Sequence, residues 1–362
     1  MKLGKSLWAP AERLLAKRYL LAVVGALLLI GAGCQRPAET PAMEEAPAWP
    51  ELAGYAPMVI PADNPMTAEK VELGKQLFYD TRLSGDGSRS CYSCHLQENG
   101  LTDGRATAVG AYERALTRSS PTLWNIGYHS EFYWDGRSGS LEAQAMAAWR
   151  GGNMGASGQD GRPSAEEISA QLNEMAGYRE QFQAVFGGPA TPDNVVQAIS
   201  AFERTIVSTD TLWVHLKMGH LDMLSEEAQR GWDLFSDKAQ CTNCHDGLLL
   251  TDLQYHNVGI GMDAAEPDTG RFRASENESD TGAFKTPTLL DISKSAPYFH
   301  DGSVATLEEA VDVMLGGGKQ NPHLDTVNLK PVELTDAEKS DLLAFLRSLD
   351  VNYTVTEPML PQ

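Results

Sequence analysis

The sequence is poor in cysteine: five residues in 362, at positions 34, 91, 94, 241 and 244. So sparse a set excludes a disulfide-stapled scaffold and gives each thiol individual weight. Positive charge is also short, with 29 Lys and Arg against 49 Asp and Glu and a formal charge of −20. That balance argues against nucleic acid and against electrostatic attachment to an anionic membrane; it would steer in a basic protein partner, and it is equally well read as merely keeping the protein soluble. Strand-like alternation is scarce, which argues against a sheet-based fold. The run "YLLAVVGALLLIGAG" has 15 residues, whereas a membrane-spanning helix needs about 20.

That run follows a basic stretch (Lys2, Lys5, Arg13, Lys17, Arg18), and together they read as a signal peptide over 1–33. Cys34 comes straight after "GAG" and resembles the lipid-acceptor cysteine of bacterial lipoproteins, although Gly31 stands where that pattern usually has Leu. Plain cleavage and an uncleaved anchor are the alternatives to lipidation. Each route exports the chain to an oxidising compartment, the periplasm, where free thiols rarely persist. The other four cysteines therefore need a covalent fate. Residues 34–62, rich in Pro, Ala and Glu, are expected to be a disordered tether. The length of 362 residues leaves room for two domains beyond it.

From Met66 onward the apolar spacing is helical, in "TAEKVELGKQLFYD", "SAEEISAQLNEMAGYREQFQAVF", "PDNVVQAISAFERTIVS", "LSEEAQRGWDLFSD" and "TLEEAVDVML". The expectation is an all-α protein with long functional loops. Two stretches repeat. "ELGKQLFYD" leads into "CYSCH" at Cys91, and "QRGWDLFSD" leads into "CTNCH" at Cys241. Residues 120–152 also lie without gaps on 286–318, at a constant offset of 287 − 121 = 166. The pattern implies two copies of one plan, an N-terminal domain over 63–210 and a C-terminal one over 211–352, with a tail at 353–362.

In a CxxCH sequence two thiols can add across a porphyrin's vinyl groups while the adjacent His offers its imidazole to the iron. Zinc ribbons hold their CxxC pairs about 15–20 residues apart, but here the separation is 241 − 91 = 150. A redox dithiol needs no His at both copies. The reading is therefore two covalent c-type haems, on Cys91, Cys94 and His95, and on Cys241, Cys244 and His245. Met314, on the helix "TLEEAVDVML", is placed to be the sixth ligand of the second iron, a pairing that raises reduction potential. Its repeat partner, 314 − 166, is Ala148, which cannot bind iron. One turn earlier Gln144 matches Ala310. Copy one thus has a gap and an amide where copy two has a ligand and a methyl, the pattern of a substrate pocket over an open iron. The rival is a solvent-facing Gln144 with another residue ligating the first iron.

These residues resemble the bacterial di-haem cytochrome c peroxidase family, which includes the MauG-type enzymes that mature tryptophan tryptophylquinone. The resemblance runs from about Asn64 to Leu349, through both CxxCH sites, "PTL" twice, "YWDGR", "SLEAQA", "FKTPTL", "APYFHDGS" and "TLEEAV". It implies a peroxidatic haem on His95 and a high-potential haem on His245 with Met314. Because MauG-type enzymes carry Tyr at that ligand position, Met314 favours peroxidase over cofactor maturation. Trp134 matches the tryptophan between the two haems, although an aromatic in a glycine turn is equally well read as packed core. The family's interdomain calcium would fall at Ser119, Ser295 and Pro297, where serine is a poorer hard-cation ligand than an amide carbonyl. Members of the family often form homodimers, and the expected partner is a small electron donor, a c-type cytochrome or a cupredoxin.

Two departures stand out. The His that caps the peroxidatic iron in many members is missing from "VGAYERALTR", so the first iron is expected to be open at rest, with His129 the nearest spare imidazole and read as a surface or core residue. Asn153 in "GGNMG" replaces the family's acid–base Glu, and an amide cannot accept a proton. His256 and Arg271 are candidate propionate partners, and His300 is expected near the second haem. His215, His220 and His323 are read as surface. The expected function is a periplasmic peroxidase that reduces hydrogen peroxide to water, with Gln144 holding the peroxide and Trp134 passing electrons. A MauG-like oxidation of a partner protein and a non-catalytic di-haem electron carrier are the alternatives.

Overall fold

Helices start where Ser or Thr precedes an acidic first turn. Thr67, Ser140, Ser164, Thr306 and Thr335 each accept a backbone N–H from the turn they cap. Glu167, Glu309 and Glu338 return the bond to their caps, so both ends of the orphaned first turn are satisfied. Losing one such cap costs about 1 kcal/mol. The computed structural model describes residues 49–362, so the expected signal peptide, Cys34 and the first half of the tether lie outside the described residues.

The helices in chain order are α1 (Ala68–Tyr79), α2 (Leu141–Arg150), α3 (Ala165–Glu174), α4 (Ala176–Phe186), α5 (Pro192–Glu203), α6 (Leu212–Lys217), α7 (Glu226–Asp233), α8 (Phe272–Ser275), α9 (Leu307–Leu315) and α10 (Asp336–Arg347). Among the described residues the only named strands are Tyr255–His256 and Phe284–Lys285, which pair antiparallel. The fold is all-α, as expected. The stretch 164–186, expected to be one helix, is two, parted at Met175 where ψ swings to 119°. Helix α10 was not singled out from periodicity.

Two helix pairs organise the core: α1 lies on α5, with α2 beside it, and α7 lies on α10. Each pair crosses at a glycine. A Cβ on Gly74 would sit 1.8 Å from the Ala198 carbonyl oxygen, and one on Gly231 would sit 2.0 Å from that of Asp341. Only glycine lets two backbones approach so closely. These glycines occupy matching places in "ELGKQLFYD" and "QRGWDLFSD", so the repeated words encode a repeated crossing. Aromatics fill the space beside it: Phe345 meets Trp213, Trp232 and Phe235 with centroids 5.1–6.3 Å apart. Truncating such a buried Phe to Ala costs about 3–5 kcal/mol.

Backbone geometry repeats at the 166-residue offset as well. Asn125 and Asp291, Tyr133 and Phe299, and Gly136 and Gly302 all have positive φ. The bridges Phe132–Ser138 and Tyr298–Val304 close the same turn in each stretch.

The expected tether is ordered over its last part. Leu52 is 3 % exposed, packed with Val207, Val214 and Leu249. Its amide donates to the Tyr128 hydroxyl at 2.9 Å, and Tyr55 meets the Tyr128 ring edge-on. The average composition hid a few apolar side chains that find a groove. The tail over 353–362 also docks: Gln97 donates to the Tyr353 carbonyl and accepts from the Val355 amide, and Arg82 donates to the Pro361 carbonyl at 2.9 Å.

Candidate active site

Each CxxCH opens on a 3-10 turn, Tyr92–Cys94 in the first and Cys241–Asn243 in the second. The turn sets the second cysteine and the histidine on one short arc. His95 Nδ1 bonds the Leu101 carbonyl at 3.0 Å, and His245 Nδ1 bonds that of Leu250 at 3.1 Å. A carbonyl accepts, so Nδ1 carries the proton and Nε2 keeps its lone pair for a metal. Burial holds both imidazoles below their ordinary pKa, which also keeps that lone pair free. Burial pushes the thiols of Cys91 and Cys94 up, and that of Cys241 up to about 12.

A cavity of about 510 Å³ adjoins the first motif and gathers Cys91, Cys94, His95, Gln144, Ala148 and Asn153. Its size falls within the range of roughly 300–1,000 Å³ typical of cofactor pockets. Apolar walls come from Leu83, Leu123, Ile126, Leu141, Trp149 and Ile199; Arg114 and Lys285 border the cavity as cations, and Arg118 and Arg137 also border it but are paired with Asp135. The donor set and the lining fit a haem held through two thioethers and one imidazole. Ala148 and Gln144 share the cavity-facing side of α2 as the spacing required, and the Gln144 carbonyl accepts from the Tyr133 hydroxyl at 3.2 Å.

Trp134 also borders this cavity, and its indole N–H donates to the Ser119 carbonyl at 3.0 Å. Ser119 in turn donates its amide to the His300 carbonyl at 2.8 Å and its hydroxyl to the Phe299 carbonyl at 2.9 Å. Trp134 and its repeat partner His300 thus meet at one residue. His300 is buried, lies flat on Phe284 with ring centroids 3.6 Å apart, and is lowered to about 4 by burial. Of the expected calcium ligands, the Ser119 hydroxyl is already engaged, donating to the Phe299 carbonyl.

At the second motif, Cys244, Asp252 and His256 bring their ligating atoms within 4.8 Å of one another. His256 is no propionate partner, because both ring nitrogens are taken, by Asp252 at 2.9 Å and by Asp325 at 2.6 Å. The Asp252 bond, with Cys244 next and Asp325 adding, raises its pKa to about 11. An imidazolium offers no lone pair to a cation, so this is an ion-paired clamp beside the second CxxCH. Arg271 is spent likewise on Glu131 and on the Asp135 and Gly136 carbonyls. Met314 is half-buried near the end of α9. His215 pairs with Asp210 near the surface.

Two further residues line this cavity, and of these only Glu203 is absent from the sequence reading. His129, read as surface or core, lines the first cavity with Nε2 unpartnered, while Lys285 approaches its Nδ1 at 3.4 Å. Burial, with the Lys285 charge adding, holds it well below its usual pKa. Glu203, 5 % exposed, lines the same cavity with Oε2 unpartnered. Burial pushes its carboxyl up to about 8, Arg204 opposing and Glu142 adding. The available signal was a glutamate one turn after Ile199 on the inward face of "AISAFE".

Residues 68–220 match the family described as di-haem cytochrome c peroxidase. The chain is 38 % identical to the cytochrome-c peroxidase IdrP1 of Denitromonas iodatirespirans, over 86 % of this chain and 88 % of that protein. It is 37 % identical to the methylamine utilization protein MauG of Methylorubrum extorquens, over 83 % and 84 %. The crystal structure of a MauG-like protein associated with microbial copper homeostasis superposes with a TM-score of 0.75 at 34 % identity, covering 84 % of this chain and 96 % of that one.

Fold, paired histidines and likeness together define the class, a haem oxidoreductase of the peroxidase type. Within that class the identity of the relatives over most of their length decides the matter. The chain belongs to the bacterial di-haem cytochrome c peroxidase family.

Proposed function

We propose that this chain is an exported, lipid-anchored peroxidase with two covalent haems, one in each of the segments 63–210 and 211–352, that reduces hydrogen peroxide to water. The observation that supports the reading is the first cavity, whose lining includes His95, Gln144 and the small Ala148. When bound, haem supplies the redox chemistry at both sites. Cys91, Cys94 and His95 would hold the first group, and Cys241, Cys244, His245 and Met314 the second. Gln144 orients peroxide through its amide, and Ala148 keeps the space clear. The Nδ1 bonds to Leu101 and Leu250 fix the rings of His95 and His245. Trp134, tied through Ser119 to His300, bridges the two segments for electrons arriving from a small basic donor, a c-type cytochrome or a cupredoxin. The net charge of −20 supports a basic partner. Calcium finds no argument in Ser119, Ser295 and Pro297.

Asn153 favours a second reading, because a pocket without its usual carboxylate can serve a slower oxidation of a residue on a partner protein, and the likeness to MauG and to a MauG-like protein points the same way. Purified holoenzyme mixed with peroxide and reduced donor separates the two. Donor oxidation well above a haem-free control supports the peroxidase. Its absence, together with a fixed mass change in a co-encoded partner, supports the second reading. Absorption spectra with one high-spin and one low-spin haem support either enzyme, and two low-spin six-coordinate haems would leave a plain electron carrier.

A further inference from the structure

This inference rests on the peroxide reading and concerns the proton carrier that the pocket lacks once Asn153 stands in place of an acid. Splitting peroxide requires a group that gives a proton to the departing oxygen and takes one from the oxygen that stays. The Asn153 amide does neither at neutral pH. Helix α5 packs beside α2, so its last turn borders the same cavity as Gln144 and Ala148, and the residue it presents there is Glu203. The side chain is 5 % exposed and Oε2 has no partner. An unpartnered buried carboxyl is destabilising, and α5 could have ended on an apolar residue instead.

The charges around Glu203 are committed to one another. Arg204, its neighbour, pairs with Glu142 of α2 at 2.8 Å, and Asn64 also donates to Glu142 at 2.7 Å. Lys70 of α1 gives its ammonium to Asn64 Oδ1 and the Pro65 carbonyl. The remaining titratable neighbour is the Cys91 sulfur, on the cavity wall. Glu203 is therefore left without a committed counter-ion, and burial pushes its carboxyl up to about 8.

We propose that Glu203 is the carboxyl that exchanges protons with peroxide in the first cavity, directly or across one water. Protonated, it gives its hydrogen to one peroxide oxygen as the O–O bond breaks, and that oxygen leaves as water. The carboxylate so formed takes the hydrogen from the other oxygen. Two electrons from the donor protein and two further protons release that oxygen as the second water, so peroxide, two electrons and two protons give two waters.

The test compares wild-type holoenzyme with Glu203→Gln and Glu203→Asp. Three measurements are made: cyanide binding at the first haem, an infrared titration of the protonated carboxyl band, and the stopped-flow Soret change on mixing with peroxide. In wild type the carboxyl band should titrate near pH 8 and be missing from Glu203→Gln, and the peroxide rate should fall as pH rises through the same range. Glu203→Gln should bind cyanide as wild type does yet react with peroxide roughly 10²–10⁴-fold more slowly and without that inflection, and Glu203→Asp should restore part of the rate. A Glu203→Gln rate within threefold of wild type, with the inflection kept, would overturn the proposal and leave the peroxidase reading standing. Failure of wild type to bind cyanide at the first haem would sink that reading and this inference with it. Should Glu203→Gln not fold, the wild-type pH profile and Glu203→Asp decide, and a flat profile counts against Glu203.

Discussion

The two CxxCH segments are alike around their histidines and unlike along one helix further on. Both fix the histidine through Nδ1 on a nearby carbonyl, at 3.0 and 3.1 Å, and both cross two helices at a glycine. The turns at 132–138 and 298–304 share bridge and backbone sign. On the facing helix the likeness stops: α2 carries Gln144 and Ala148, while α9 carries Ala310 and Met314. In the function proposed above, holding a cofactor and using it fall to different parts of the segment, and only the second set differs between the two.

The largest effect should come from erasing that divergence. In Ala148→Met a thioether is offered to the first site. If it is bound in 99 of 100 molecules, peroxide reactivity should fall roughly 10²-fold, and the high-spin signal should vanish from the spectrum. Retention of both would show that α2 does not face the iron as α9 is proposed to. The converse, Met314→Ala, should open the second site and lower its reduction potential by on the order of 0.1 V in a redox titration, leaving the first site's spectrum unchanged.

A smaller effect tests the likeness rather than the difference. Gly74→Ala and Gly231→Ala should each cost about 1–3 kcal/mol through overpacking, read as matched losses in denaturant midpoint. A tolerated substitution at either glycine would mean that one crossing can relax where the other cannot. The smallest effect concerns a feature at the second motif, the His256 clamp. Its folded pKa of about 11 lies above the ordinary 6.5, so its contribution is complete below about pH 6.5 and is lost as pH rises toward 11. Asp252→Asn should flatten that slope in a pH series of thermal midpoints, by on the order of 1 kcal/mol, because Asp325 keeps its bond to the ring.

Much of this comparison was legible from residue spacing. The CxxCH words, the glycines ahead of them and the constant offset of 166 are local patterns, and local patterns survive in one dimension. The pairing of Gln144 with Ala148 was legible because a helix repeats every 3.6 residues. What escaped depends on contacts between distant stretches. The carboxyl of Glu203 reaches the first cavity only because α5 returns beside α2, and His129 is drawn into the wall by Lys285, 156 residues away. His256 looked free until Asp325, 69 residues on, was seen to take its second nitrogen. The docking of Leu52 was masked by the Pro- and Ala-rich company it keeps.

The strap formed by residues 353–361 has a practical consequence. Although it continues from α10, Arg82 and Gln97 clasp it, and Pro361 lies against Gly177. A dye, spin label or affinity handle placed along it will therefore report on the neighbourhood of the N-terminal motif, and distance measurements that take it as a marker for the other half of the protein will be misread.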